Sequence, residues 1–314
     1  DSILKHTYLS NFVLKINAKL GGINTKVAPM PQQPKGLLLM ERPTMVFGAD
    51  VTHPAPGSDQ PSVAAVVGSV DGTCARYETQ LSVQSGKQEI IEQLGEMTQK
   101  LLLAFYKKTG KKPERIVFFR DGVSEGQFQH CLLRELPQIR AACQAMSSGD
   151  AGYNPSVTFV IVQKRHMTRL FVADPKDADA SGNVRAGTVV DRSITHPSEY
   201  DFFLQAHAGI QGTTKPAHFH VIWDENHVAP DVLQQFAYSL CHLYARCPRS
   251  VSLVAPVYYA HLACTRGREY LWGSGGGSDA DTASVRSGGG GGNAEVAAYL
   301  MDLRPALQNT MFQV

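Results

Sequence analysis

The chain has 314 residues, of which 43% are hydrophobic and 18% charged, enough for the core of one large domain or of one domain with a fragment of another. A net charge of +2 and a pI of about 8.2 exclude a globally basic field, so any nucleic-acid binding must come from local clusters. Cys74, Cys131, Cys143, Cys241, Cys247 and Cys264 lack CxxC spacing and read as small buried residues of a reducing compartment, not as a disulfide or zinc framework.

The longest apolar runs, such as 63–67, fall far short of the ~20 residues of a membrane helix, and no signal segment opens the chain. It begins on Asp1, without a Met, and enters helix at once, which reads as a piece cut from a longer protein.

The first element, 10–20, places Phe12, Ile16 and Leu20 at helical spacing before Gly21-Gly22, with Lys15 and Lys19 on one face. That pair reads equally as a solvated surface. Pro29, Pro31, Pro34 and Gly36 mark a linker over 27–36 and a domain boundary there.

From Thr44 the pattern turns to strands: TMVFGAD, then 62–70, an Asp71-Gly72 turn, and 75–83. Ser85 and Gln88 match a capping box, predicting a helix whose stripe is Ile90, Leu94, Met97, Leu101 and Phe105, closed by lysines and Gly110. RIVFFR (115–120) is a buried strand leading to Asp121-Gly122. Ser124 and Gln127 form a second capping box, and Pro137 predicts a kink in the helix that follows.

Residues 157–162 form another strand, with a basic cluster over 164–169 at its exit. The polar stretch 173–198 offers short strand pieces, and HFHVIW (218–223) alternates as a strand. Pro230 and Pro256 open the last two long helices. Residues 273–292 are Gly-rich and predict a disordered loop; a short helix is expected over 294–303. Strands in hairpin order followed by strands alternating with helices predict an α/β fold, a mixed sheet flanked by helices.

Two apolar strands each deliver an acid, Asp50 and Asp121. If the strands are neighbours, the carboxylates emerge together and repel unless a cation sits between them or one takes a proton. Such oxygen ligands suit Mg²⁺ or Mn²⁺, and a pair of these ions serves phosphodiester hydrolysis. The plainer alternative makes Asp50 a strand-end cap and Asp121 the start of an Asp-Gly turn.

GADVTHP (48–54), QEII (88–91), RDGVSEGQF (120–128), QKRHMTRLF (163–171), HAGIQGT (207–213) and APVYYAHLA (255–263) run in order along the chain. Together they resemble the PIWI domain of a eukaryotic Argonaute. The resemblance implies an RNase H-like fold for 41–314, with residues 1–40 as the end of a MID domain and its linker. It implies an endonuclease that cuts a target RNA paired to a small guide RNA, in the cytoplasm with a nuclear pool, with silencing-complex proteins as further partners and no obligate homo-oligomer.

The family's tetrad carries over onto Asp50, Glu89, Asp121 and His261, with two Mg²⁺ as cofactors. Read from residues alone, Glu89 is a helix first-turn acid and His261 a core histidine. Lys15, Lys19 and Arg266 match residues that hold the guide 5′-phosphate. His261 and Arg266 point about 140° apart around one helix, so that helix can serve both places. Lys164, Arg165, His207, Lys215, Arg246, Ser252 and Tyr258 match guide-backbone contacts; Lys215 stands where Arg is frequent, and phosphate contact tolerates that change. The tail MFQV departs from the family's aromatic-rich ending.

An intact tetrad implies a cutting enzyme. The rival is a non-cutting RNA-guided binder that recruits silencing partners. Another RNase H-like nuclease, such as a transposase, is disfavoured by the lysine pair and by GVSEGQF. In isolation, without upstream domains, a piece of this kind is expected to retain guide poorly and to cut little or not at all.

Overall fold

The computed structural model describes residues 6–28, 37–56, 58, 60–147, 152–271, 307 and 310–314. Its strands are β1 (Thr44–Thr52), β2 (Ser62–Ser69), β3 (Tyr77–Gln84), β4 (Arg115–Asp121), β5 (Ser156–Gln163), β6 (Thr188–Val190), β7 (Tyr200–Gln205) and β8 (Ala217–Asp224). They form one eight-stranded sheet in the order β3-β2-β1-β4-β5-β8-β7-β6. β1, β4 and β5 run parallel in its centre, and the pairs outside them are antiparallel.

The central strands are apolar on both faces because helices cover both. Met45, Phe47 and Ala49 pack with Leu94, Met97 and Leu101 of α2 (Leu94–Thr109) and Ile139 of α4 (Leu136–Ala145). One residue out of phase, Val46 joins Val117 and Phe119 against Leu233 and Phe236 of α5 (Pro230–Cys241) and Val257 and Tyr259 of α6 (Ala255–Arg268). By the same alternation Gly48 and Asp50 lie on the α6 side. A Cβ on Gly48 would stand 2.3 Å from the Pro256 carbonyl carbon, so α6 rests directly on the β1 backbone. That approach decides where His261 falls.

The structure corrects several expectations. No helix starts at Ser85: residues 85–93 are a loop, and α2 begins at Leu94 with Gln93 at its N-cap. Instead of driving a helix, Gln88 has its carbonyl taken by the Gln84 side chain at 2.6 Å. The Ser124 N–H does donate to Gln127 Oε1, at 3.3 Å, and a 3₁₀ turn (Glu125–Gln127) follows. The helix beyond it, α3 (Phe128–His130), passes through a π-turn (Cys131–Glu135) before α4. The irregularity the structure shows is that turn, and Pro137 follows it at the start of α4.

β7 is not anticipated from the sequence. The first helix, α1 (His6–Lys19), puts Ala18 in the core and leaves Phe12, Ile16 and Leu20 exposed, the reverse of the face that their spacing suggests. The tail Met311–Val314 is buried. Residues 273–292 and 294–303 and most of the 27–36 linker lie outside the described residues.

Candidate metal centre and RNA cleft

β1 and β4 pair in parallel with Ala49 opposite Arg120, so the next residue on each, Asp50 and Asp121, leaves the sheet side by side. Asp50 is 6% exposed; its Oδ1 accepts the Val51 N–H at 2.8 Å, and its Oδ2 lies 3.1 Å from His261 Nδ1. Asp121 Oδ1 accepts the Gly122 N–H at 2.7 Å. Burial, and then the neighbouring Asp50 charge, raise the Asp121 carboxyl to about 6. The hydrogen bond to Asp50 raises His261. Two acids and an exposed imidazole thus converge from three separated elements.

Glu89 reaches the same corner from its loop. Gly122 has φ +88°, and a Cβ there would stand 2.9 Å from Glu89 Oε1 and 3.6 Å from Asp50 Oδ1. Any other residue would collide with the carboxylate that the loop delivers. Glu89 is held on two sides. Its Oε2 accepts from His53 Nε2 at 2.8 Å, while His53 Nδ1 lies 2.8 Å from Ser62 Oγ. Ser62 Oγ in turn accepts the Lys87 N–H at 3.1 Å, and because a carboxylate only accepts, His53 donates to Glu89 from Nε2. On the other side Arg120 Nη2 lies 3.1 Å from Glu89 Oε1 and also meets the Glu89 carbonyl. Arg120 is fully buried; burial works against its charge, and Glu135 and Glu89 outweigh it, so its basicity is raised.

This corner forms one end of a cleft of about 1270 Å³ lined by Asp50, Glu89, Asp121 and His261, by Lys164 and Arg165 after β5, and by Ser252 and Tyr258. Lys164 Nζ donates to the Lys215 carbonyl at 2.9 Å. Burial pulls Lys164 down to about 8, and burial followed by Lys164 pulls His207 down to about 4, so Lys164, Lys215 and His207 form one group. Ser252 Oγ and Tyr258 OH lie 3.2 Å apart.

A second basic group forms elsewhere. Lys19 is lowered by burial and then by Arg266, Arg246 and Lys15, which places those cations around it. Its Nζ donates to the Phe312 carbonyl at 2.8 Å, and Arg266 Nε donates to Tyr270 OH at 2.9 Å. The predicted residues therefore sort into three places: the tetrad; the cleft residues Lys164, Arg165, Ser252 and Tyr258, with Lys215 and His207 beside Lys164; and a cluster of Lys15, Lys19, Arg266 and Arg246. Arg246, matched to the guide backbone, stands beside Lys19.

Sequence reasoning missed His53, Arg120 and Glu135, although the first two lie inside quoted motifs. A buried charge in RIVFFR was the available signal, since a buried Arg needs acids around it. It also read HFHVIW only as a strand. There Asp201 Oδ2 accepts from His218 Nε2 at 2.6 Å, and His218 Nδ1 lies 3.1 Å from His220 Nε2. These donors lie within 4.8 Å of one another, yet both nitrogens of His218 are already engaged, and the chain of bonds ties β7 to β8 away from the cleft.

A mixed sheet with three parallel strands at its centre and helices on both faces is an RNase H-like fold. The chain belongs to the Piwi domain family of Argonaute proteins: the model described as "Piwi domain" matches residues 1–271. Among its relatives in rice (Oryza sativa subsp. japonica) it is 49% identical to protein argonaute 1D over 304 residues, covering 91% of this chain and 28% of the relative. It is 52% identical to protein argonaute MEL1, covering 85% and 26%. The chain thus spans about a quarter of the length of these relatives.

Among solved structures it resembles the Kluyveromyces polysporus Argonaute with a guide RNA (TM-score 0.82, 31% identity, 98% of this chain and 34% of that one). It also resembles the C-terminal lobe of a budding yeast Argonaute (TM-score 0.77, 36% identity, 83% and 54%).

Proposed function

We propose that this chain is the cleaving core of a guide-RNA-directed endonuclease, which hydrolyses one phosphodiester of a target RNA paired to a small guide RNA and leaves a 3′-hydroxyl and a 5′-phosphate. The observation that carries the reading is the meeting of Asp50, Glu89, Asp121 and His261 at the end of a cleft whose wall is basic at Lys164 and Arg165.

The donor set fits hard divalent cations: carboxylate oxygens with one imidazole, and an acid pair whose mutual repulsion a cation relieves. Asp50, Asp121 and His261 would hold Mg²⁺, or Mn²⁺, with Glu89 completing the set. When bound, two such ions activate the attacking water and stabilise the leaving oxygen. The chain's own part is placement. Asp50 stands between Asp121 and His261 as the shared anchor, and His261 offers a lone pair to a cation only as the neutral imidazole. Lys164, Arg165, Lys215 and His207 line the path of the backbone, so that base pairing reads sequence while the protein reads phosphate and shape.

Lys15, Lys19 and Arg266 would grip the guide 5′-phosphate, with Arg246 beside them and Ser252 and Tyr258 on the adjacent backbone. Residues 1–40 would be the end of a MID domain and 41–314 the PIWI domain. A guide RNA in the related yeast Argonaute supports this reading. The four competent tetrad residues favour cutting over guided binding alone. The piece by itself would hold guide poorly and cut little.

The test is the full-length parent loaded with guide and given a fully paired target. Cleavage at one position with Mg²⁺, abolished by EDTA, is expected; an intact target under both conditions refutes the endonuclease reading and leaves the guided binder.

A further inference from the structure

We infer that Glu135 and Gln138 are positioning residues for Glu89, and that the π-turn before α4 sets both of them onto the Glu89 loop. The inference rests on reading Glu89 as part of the metal centre.

The loop 85–93 has no regular structure, so its backbone groups need side-chain partners. They have them. The Gln84 amide donates to the Gln88 and Ile90 carbonyls at 2.6 and 3.0 Å, and its oxygen accepts the Glu92 N–H at 3.3 Å. At Ile91 both backbone groups are clamped from one helix. Its N–H donates to Glu135 Oε1 at 3.0 Å, and its carbonyl accepts from Gln138 Nε2 at 3.1 Å. Gln138 Oε1 also accepts the Gly95 N–H at 3.1 Å, tying the start of α2 to the same point. The Ile91 side chain is fully buried, so this clamp is anchored in the core just beyond Glu89.

Glu135 acts by a second route. The oxygen that accepts from Ile91 also lies 3.3 Å from Arg120 Nε, and Arg120 presents Nη2 to Glu89 Oε1 at 3.1 Å. One buried carboxylate therefore sets both the backbone and the charge partner of Glu89. An amide would suffice for the Ile91 bond alone. A fully buried carboxylate costs desolvation and is justified by the guanidinium beside it.

The π-turn explains how one helix end supplies both groups. The residue it inserts rotates later positions by about 100° relative to an unbroken α-helix. Glu135, at the end of the turn, and Gln138, in the first turn of α4, then face the loop together.

The test uses the guide-loaded full-length parent with Glu135→Ala, Glu135→Gln and Gln138→Ala. Backbone amide exchange is followed without divalent metal, Mn²⁺ affinity by titration, and target kcat and KM separately. Glu135→Ala is expected to speed exchange at Ile91 by about tenfold or more, to leave β4 protected, to weaken Mn²⁺, and to lower kcat with KM and guide retention unchanged. Glu135→Gln keeps an acceptor for Ile91 and is expected to restore loop protection while recovering kcat only in part.

Gln138→Ala, at a half-exposed position, gives the same loop signature should Glu135→Ala fail to fold. Unchanged loop exchange, or protection lost throughout the sheet, overturns the inference. A wild-type parent that does not cut refutes the endonuclease reading instead, because exchange and Mn²⁺ affinity are read without cleavage.

Discussion

Two clusters of like charge, one acidic and one basic, are built differently. At the acidic corner Asp50 and Asp121 leave adjacent buried strands, and Glu89 is gripped by His53, Arg120 and the loop clamp. At the basic corner Lys15, Lys19, Arg246 and Arg266 crowd one another, and the contacts they make are to neutral groups such as the Phe312 carbonyl and Tyr270 OH. Both arrangements combine burial with like-charge repulsion, which together raise Asp121 and lower Lys19. The difference teaches that the acidic corner is preset by the fold, so damage to its supports should appear as lost chemistry. In the proposed reading the basic corner takes an anionic ligand as its counter-charge, so damage there should appear as lost affinity and altered salt dependence.

Gly48→Ala is expected to have the broadest effect. Its methyl would meet the Pro256 carbonyl carbon at 2.3 Å, forcing α6 and His261 away from Asp50. Urea unfolding should show a loss of roughly 1–3 kcal/mol, with cleavage falling alongside; wild-type stability would mean that α6 does not depend on this approach. His53→Ala removes one support of Glu89 and should cut single-turnover cleavage by roughly 10–100-fold, in the range for outer partners of a metal site. Guide affinity should stay unchanged, and a parallel loss of guide would blur the contrast between the corners.

Lys19→Ala and Arg266→Ala should do the opposite, weakening guide binding while sparing the rate of bound complexes. Each should flatten the slope of log affinity against log salt by about 0.7, measured by filter binding across a salt series. The smallest effect concerns Lys164, held near 8 by burial. Its charge is present below that value and lost above it, so RNA affinity should decline a few-fold as pH rises through about 8. Lys164→Gln should remove that decline; a persistent decline would assign it to another group.

The parts legible in the sequence were those with a local signature. Apolar strands ending in acid gave Asp50 and Asp121, and Pro at a helix start located α5 and α6. The misreadings have one physical origin, which is that a side chain from elsewhere took over a local signal. Ser85 and Gln88 spell a helix start, but Gln84 and Glu135 satisfy that backbone as a loop, and only the loop lets Glu89 reach Asp50. Pro137 suggested a kink that the π-turn had already made. β7 escaped notice because YDFFLQ holds Asp201, a polar residue whose burial depends on partners from elsewhere, His218 and the His196 N–H. Phe12 and Ile16 of α1, and Leu20 just after it, share helical spacing yet are exposed, and the helix's lysine face is the one turned to Arg266.

The most direct measurement is guided cleavage by the full-length parent carrying Asp50→Ala, with guide retention assayed on the same samples. Cutting reduced to background with guide held nearly as in the wild type is the predicted result, because Asp50 joins Asp121 and His261 but touches none of the basic cluster. Undiminished cutting by that variant would contradict the assignment of the metal centre.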